Sequence, residues 1–286
     1  MIDMKSLLAH CTICPRKCGI NRLKNELGFC KIGKNPKISA HNVHKGEEPP
    51  ISGSGGSGTI FFTGCNLKCV FCQNYPISQL HHGNEITIEK LSWIMLDLQD
   101  LKVHNINLVT PTHVVPQIIE SIICARNKGL KIPIVYNSGG YESKETLKLL
   151  EGIIDIYMPD IKYSDDKMAQ KYSSVKNYWK IATEAVKEMF RQVGGLKMKN
   201  GIAVKGILIR HLVLPFDIAG SKKVLEFIAN EIDKDTYVSI MSQYHIANKA
   251  EEYPELCRKV THQEYSAVLD YADKLGIVNG WRQGMS

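Results

Sequence analysis

The sequence predicts an α/β fold built on a parallel sheet, open or closed into a barrel. Three observations predict it. Short apolar, β-rich runs alternate with amphipathic helical runs along most of the 286 residues. The connections between them are short, as βα units require. A loop holding three cysteines follows the first buried strand directly, at the carboxyl end where such sheets place their sites. Hydrophobic content of 44% and charged content of 23% suit a folded domain. No stretch approaches the ~20 apolar residues of a membrane-spanning helix. The first residues carry no basic segment with a long apolar run behind it, so a secretory signal is not expected and the cytoplasm is the default location.

In chain order, residues 1–50 read as irregular, rich in Cys, Gly and Pro. "ISGSGGSG" (51–58) reads as a glycine-rich turn entering the strand "TIFFTG" (59–64) rather than as a linker. Leu91, Ile94, Met95 and Leu98 repeat at helical spacing across 87–101, and "INLVT" (106–110) is the second strand. A helix over 114–129 closes on a glycine. "IPIVYN" (132–137) is the third strand, followed by a helix over 143–152. "IIDIYMP" (153–159) is the fourth, and a mostly helical region runs to about 194. The fifth strand lies within 201–215. The helix over 221–232 has Ser221 as its expected N-cap and Val224, Leu225, Ile228 and Ile232 on one face. "YVSIMSQ" (237–243) is the sixth strand, and Tyr265, Val268, Leu269 and Ala272 mark a last amphipathic helix. The expected division is a Cys-rich, metal-binding extension (1–50), a (β/α)6 core (51–245) and a helical C-terminal extension (246–286).

Nine cysteines in a chain expected to sit in a reducing compartment point to metal binding or catalysis rather than disulfides. Seven lie before residue 73, and Cys124 and Cys257 stand alone. Cys124, in a helical run, reads as a small buried apolar residue. Cys65, Cys69 and Cys72 in "GCNLKCVFCQNYPIS" supply three thiols and no fourth. Three thiolates from one loop suit a cubane [4Fe–4S] cluster whose remaining iron is open to an exogenous ligand. A structural zinc site would close with four ligands, so the alternative is a zinc knuckle borrowing His81 or His82.

The spacing C-x3-C-x2-C, with Phe71 before the last cysteine, resembles the radical S-adenosylmethionine (AdoMet) superfamily. "CTICPRKCGINR", "HKGEEPPISGSGGSG", "INLVTPTHVVPQI", "IVYNSGGYES", "DIYMPDIKY" and "IRHLVLP" extend the resemblance, over roughly 11–245, to the group related to pyruvate formate-lyase activating enzymes, and within it to a branch of uncharacterised iron–sulfur proteins. The resemblance implies a partial (β/α)6 barrel. It also implies a [4Fe–4S] cluster on Cys65, Cys69 and Cys72 that binds AdoMet and cleaves it reductively to a 5′-deoxyadenosyl radical. That radical would abstract hydrogen from a substrate, by analogy the glycine of a glycyl radical enzyme. Phe71 is then the aromatic near the adenine.

The Gly-Gly-Glu element usual after strand two is replaced by "TPTH" (110–113), with "SGGYE" (138–142) after strand three instead. Thr110, Thr112 and Asn137 are therefore the candidates for the AdoMet amino group. "PDIK" is similar to the activators' Asp-x-Lys element: Asp160 can accept from ribose hydroxyls or the ammonium, and Lys162 can meet a carboxylate, unless the two form only a surface ion pair. Arg210 is a candidate carboxylate fork, and strand alternation turns His211 to the opposite face. Gln243, after strand six, is a weaker candidate.

Cys11, Cys14, Cys18 and Cys30 (C-x2-C-x3-C-x11-C) can close a second site, holding zinc or an auxiliary iron–sulfur cluster. Glu47 and Glu48, before a double proline, read from the residues as a solvated turn, while the resemblance raises their standing without attaching a role. The formal charge of +7 is spread without a dense basic run. It fits an acidic electron donor such as flavodoxin or ferredoxin and does not favour nucleic acid. The competing readings are a radical AdoMet enzyme acting on a small molecule or RNA, and a non-catalytic iron–sulfur or zinc sensor or scaffold.

Overall fold

The structure, a computed structural model, describes residues 4–285, so the outermost residues of the expected terminal segments fall outside the described residues. Ten strands form the sheet framework: β1 (Lys37–His44), β2 (Ser57–Phe62), β3 (Asn84–Glu85), β4 (Ile106–Val109), β5 (Ile134–Ser138), β6 (Ile156–Pro159), β7 (Lys197–Lys199), β8 (Ile202–Leu212), β9 (Tyr237–Met241) and β10 (Gly280–Arg282). The order is β10-β9-β8-β6-β5-β4-β2-β1-β3, with β7 hairpinned onto β8. From β2 to β10 every neighbouring pair on this path is parallel. The end strands do not pair with one another, so the sheet is open rather than a closed barrel.

All six expected strands are present, and the helices fall between them as read. The helix Ile88–Asp100 starts where the Thr87 hydroxyl accepts from the Lys90 amide, and the helix Lys144–Lys148 starts on Ser143 in the same way. The helix His262–Lys274 opens on a capping box between Thr261 and Glu264. Ser221 differs from expectation. Gly220, in the left-handed conformation, is the N-cap. The Ser221 hydroxyl instead meets His211 Nε2 at 2.9 Å, because burial of that histidine demands a partner.

Residues 1–50 are not uniformly irregular. The stretch 37–44 is a strand that pairs antiparallel with β2 and with β3. Its alternation is masked because most of its residues are exposed at the sheet edge. The C-terminal segment is likewise more than helical, since β10 adds a parallel strand to β9.

Strand alternation divides the interior. Outward residues such as Ile60, Leu108, Tyr136, Tyr157, Ile207 and Ile240 join the main core under the helices. Inward residues Val135, Ile156, Met158, Leu208 and Tyr237 pack on Ile51 of the short helix Pro49–Ser52, which closes one mouth of the half-barrel. Above this apolar plug the inward positions turn polar: Asn137, Asp160 and Arg210. Among the described residues no helix is long and apolar enough to cross a membrane.

Candidate active site

The loop after β2 delivers Cys65, Cys69 and Cys72 to a cleft of about 470 Å³ at the carboxyl ends of the parallel strands. Neighbouring segments hold that loop by its backbone. Lys68 and Val70 donate to the carbonyls of Ser173 and Tyr172, and Lys249 donates to Val70. The side chains of Gln79 and Asn248 both donate to the Cys69 carbonyl. Each sulfur also has a polar neighbour. The Leu67 amide donates to Cys65 Sγ (3.3 Å), the Ser173 hydroxyl donates to Cys69 Sγ (3.0 Å), and Ser78 Oγ lies 3.2 Å from Cys72 Sγ.

Burial pushes the Cys65 thiol well up, with the neighbouring Cys69 adding to the effect. It pushes the Cys69 thiol to about 11, even though the Lys162 ammonium pulls the other way. Thiols raised in this way, Cys65 and Cys69, become good anionic ligands only beside a compensating cation. The donor set therefore fits a metal cluster: three thiols on one rigid loop, facing a cleft with room for a further ligand. Neither His81 nor His82 lines the cleft beside them.

Asp160, at the end of β6, sits between two cations. Its Oδ2 accepts from Lys162 Nζ at 2.6 Å and its Oδ1 from Arg210 Nε at 2.8 Å. Burial pushes the Asp160 carboxyl up, but Arg210 and Lys162 more than offset this and hold it below its ordinary range. The pair is not a surface ion pair, because the Lys162 and Asp160 side chains are only 19% and 14% exposed. Arg210 and His211 take opposite faces as alternation requires: Arg210 points inward, and His211 points outward with Nδ1 at 2.7 Å from the Ile161 carbonyl.

Arg210, the candidate carboxylate fork, lines the cleft and is partly engaged within the protein. Its Nη2 donates to Asn137 Oδ1 (2.7 Å), and its Nη1 lies 3.7 and 3.8 Å from the carboxylates of Glu47 and Glu48. Its Nε and Nη2 are thus taken by Asp160 and Asn137, whereas Nη1 lies beyond hydrogen-bond distance of either glutamate. Lys162 has one carboxylate partner and two further N–H donors, which leaves it the better placed cation for an incoming carboxylate.

Phe71 is buried and borders an adjoining space of about 250 Å³, packing edge-to-face on Tyr163 and Tyr244. Thr110, Asn137 and Gln243 line the cleft, and Thr110 holds a strained φ of 59° at the end of β4. Thr112 does not line it. Its hydroxyl donates to Glu142 Oε1 at 2.6 Å, and Tyr136 donates to Oε2 of the same carboxyl. The carboxyl of "SGGYE" is thus spent in a buried network behind β5. Ser138 and Gly139 of that motif do face the cleft.

Two further groups line the cleft, neither of them given a role from the sequence. Glu47 and Glu48 do not form a solvated turn: Glu48 is 3% exposed, and both carboxylates line the cleft. The double proline that suggested a turn instead begins the helix Pro49–Ser52, whose Ile51 anchors the pair inside the half-barrel. Trp281 and Gln283 reach the cleft from the C-terminal strand, where Gln283 Oε1 accepts from the amides of Ser242 and Gln243. No local signal marked them. Cys124 is half-buried rather than buried, and Cys257 is exposed.

The family model of the radical SAM superfamily matches residues 59–215. The uncharacterized protein MJ0674 of Methanocaldococcus jannaschii is 32% identical over 284 residues, which is 96% of this chain and 77% of that protein. A second uncharacterized protein of the same organism, MJ0808, is 24% identical over 270 residues, covering 86% of this chain and 73% of its own. Among solved structures, Streptococcus suis SuiB bound to S-adenosylmethionine superposes with a TM-score of 0.54 at 16% identity, covering 78% of this chain and 48% of SuiB. HydG, a maturase of the [FeFe]-hydrogenase, gives a TM-score of 0.52 at 11% identity, covering 78% of this chain and 50% of HydG. Methylornithine synthase (PylB) gives 0.51 at 16% identity, covering 76% and 62%. The chain thus spans about half the length of SuiB and HydG, and these likenesses concern the fold.

Proposed function

We propose, from the premise that this chain belongs to the radical SAM superfamily, that it is an enzyme reducing AdoMet at a [4Fe–4S] cluster held by Cys65, Cys69 and Cys72. Members of this superfamily generally catalyse radical reactions, and the family implies both the cluster and AdoMet. When bound, the cluster supplies the electron that cleaves AdoMet to methionine and a 5′-deoxyadenosyl radical, which takes a hydrogen atom from the substrate.

The single observation that carries this reading is the convergence of three thiols from one loop with Asp160 and Lys162 at the carboxyl ends of the parallel strands. In it Lys162 meets the AdoMet carboxylate and Asp160 accepts from ribose hydroxyls or the ammonium. Thr110 and Asn137 offer oxygens to the amino group, and Phe71 lies toward the adenine. Arg210 holds Asp160 and Asn137 in register. The substrate class remains that of the sequence resemblance: a glycine of a partner enzyme in the manner of the pyruvate formate-lyase activators, with the uncharacterised branch as the finer assignment. An acidic flavodoxin or ferredoxin as donor suits the +7 charge, and nine unpaired cysteines suit a reducing, cytoplasmic setting. The reading also includes a second metal centre on Cys11, Cys14, Cys18 and Cys30.

The test is anaerobic reconstitution with iron and sulfide, reduction by dithionite and addition of AdoMet, beside a Cys69→Ala control. An AdoMet-dependent shift of the EPR signal and 5′-deoxyadenosine from the wild type alone are expected. A loaded cluster that neither shifts nor cleaves AdoMet overturns the enzyme reading in favour of a sensor or scaffold.

A further inference from the structure

Outside the cleft, Cys11, Cys14, Cys18 and Cys30 all line one small cavity, together with Arg22 and His113. The segment carrying them is fastened to the core. Arg22 Nη1 donates to the His113 carbonyl (2.7 Å), Arg16 Nη2 donates to the Ser174 carbonyl (2.6 Å), and Thr146 donates to the Ile13 carbonyl (2.7 Å). Two polar atoms on the cavity's lining residues have no partner, Arg22 Nη2 and His113 Nδ1, although both residues are only 1% exposed. A buried guanidinium nitrogen left unpaired is costly unless an anion lies nearby. Four thiolates around a metal centre are that anion. Gly28 permits the closest approach, since a Cβ there would stand 3.0 Å from Cys18 Sγ.

Zinc would draw the sulfurs to about 2.3 Å from one point. Thiols spread around a common cavity suit a cluster that meets each sulfur at a different iron.

The two thiol sets adjoin. A Cβ on Gly64, which precedes Cys65, would lie 2.5 Å from the Cys30 carbonyl. Asn66, which follows Cys65, lines the four-cysteine cavity, and its carbonyl accepts from Arg16 Nε at 2.9 Å. The Arg16 guanidinium lies in the field of Cys14 and Cys18 as well as of Cys65. On the solvent side Cys18 is exposed, as are Lys17 and Lys31 beside two of the cysteines and Lys68, whose ammonium lies 4.9 Å from the centre of the Phe29 ring. That basic rim suits an acidic donor.

We propose that Cys11, Cys14, Cys18 and Cys30 hold a [4Fe–4S] cluster that passes single electrons to the cluster on Cys65, Cys69 and Cys72. One electron enters from a low-potential protein donor, which is oxidised by one electron. The N-terminal cluster returns to its oxidised state as the catalytic cluster is reduced, and no atom or proton is transferred. The relay role rests on the catalytic reading above, whereas the metal assignment does not.

The test uses the full chain with Cys65, Cys69 and Cys72 all changed to Ala, reconstituted anaerobically. About four iron and four sulfide per chain are expected, with a dithionite-reduced EPR signal, against about eight of each in the wild type. The wild-type count keeps the test open should the triple variant not fold. One zinc without sulfide, a single iron, or a wild type with only about four iron overturns the assignment. For the relay, the reduced N-terminal signal must broaden and relax faster in the wild type than in the triple variant, because a second spin lies beside it. Identical line shape and power saturation overturn the relay. A loaded, spin-coupled pair that leaves AdoMet intact would sink the catalytic reading and spare the metal assignment.

Discussion

Glu142→Gln isolates one buried charge with an almost isosteric change. Burial carries the Glu142 carboxyl from its ordinary 4.5 to about 7, despite the hydrogen bonds that Thr112 and Tyr136 donate to it. At 1.36 kcal/mol per pH unit, ionising it inside the fold costs about 3 kcal/mol. The folded value lies above the unfolded one. Wild-type stability from this group is therefore intact below about pH 4.5 and falls as pH rises toward 7. Glutamine does not titrate, and its amide can still accept from Thr112 and donate to the Tyr136 oxygen. The variant should gain about 3 kcal/mol over wild type at pH 8 relative to pH 4.5, measured by urea unfolding of the same preparation. At about 2–4 °C per kcal/mol, that is several degrees in Tm. The difference between the two proteins is the readout, because His113 acts in the opposite sense over an overlapping window. Its burial lowers it to about 3, so acid removes stability from pH 6.5 downward. A variant-minus-wild-type difference that stays flat between pH 4.5 and 8 refutes the argument. AdoMet cleavage should be unaffected, and its loss in Glu142→Gln would return this carboxyl to the AdoMet site.

Lys162→Met should keep a full cluster by iron and sulfide count yet weaken AdoMet binding at least tenfold, read from the AdoMet dependence of the EPR shift. Arg210→Gln strips one of two cations from Asp160, Glu47 and Glu48 and should cost about 3–5 kcal/mol in urea. In wild type the depressed Asp160 carboxyl stabilises the fold above its unfolded value and loses this as pH falls. The Arg210→Gln penalty should therefore hold down to about pH 4 and shrink only as pH falls below about 3.8, and a penalty unchanged there would contradict mutual neutralisation. Gly64→Ala, with its backbone at φ +83° and the Cys30 carbonyl in the way, should lower cluster content at both thiol sets.

Periodicity made the core of the fold legible. Strands buried on both faces, such as "INLV" and "IYMP", read as apolar runs, and helices such as Ile88–Asp100 carried both a cap and an apolar stripe. What escaped was marginal in burial: β1 at the sheet edge is mostly exposed, and β3 and β10 are two and three residues long. The site divides along the same line. Cys65, Cys69, Cys72, Asp160 and Lys162 follow strand ends directly, so sequence position and spatial position coincide. Thr112 failed because the residues after β4 turn into a short 3-10 helix that aims its hydroxyl at Glu142 instead of the cleft.

Glu47 and Glu48 show what pattern alone cannot reach. Two adjacent carboxylates before two prolines look like surface, and only the helix those prolines start, with Ile51 buried among Val135, Ile156 and Leu208, brings them inside. Their arrival changes the electrostatics of the site. Three carboxylates, Asp160, Glu47 and Glu48, face two cations, Lys162 and Arg210, leaving one negative charge in excess when all are ionised. Burial pushes the Glu47 carboxyl up, with Arg210 only partly offsetting it, and Glu48 Oε2 has no hydrogen-bond donor. A cleft left short of positive charge suits a ligand that brings it. In the proposed function the sulfonium and ammonium of AdoMet would supply that charge, and its carboxylate would answer the free donors of Lys162.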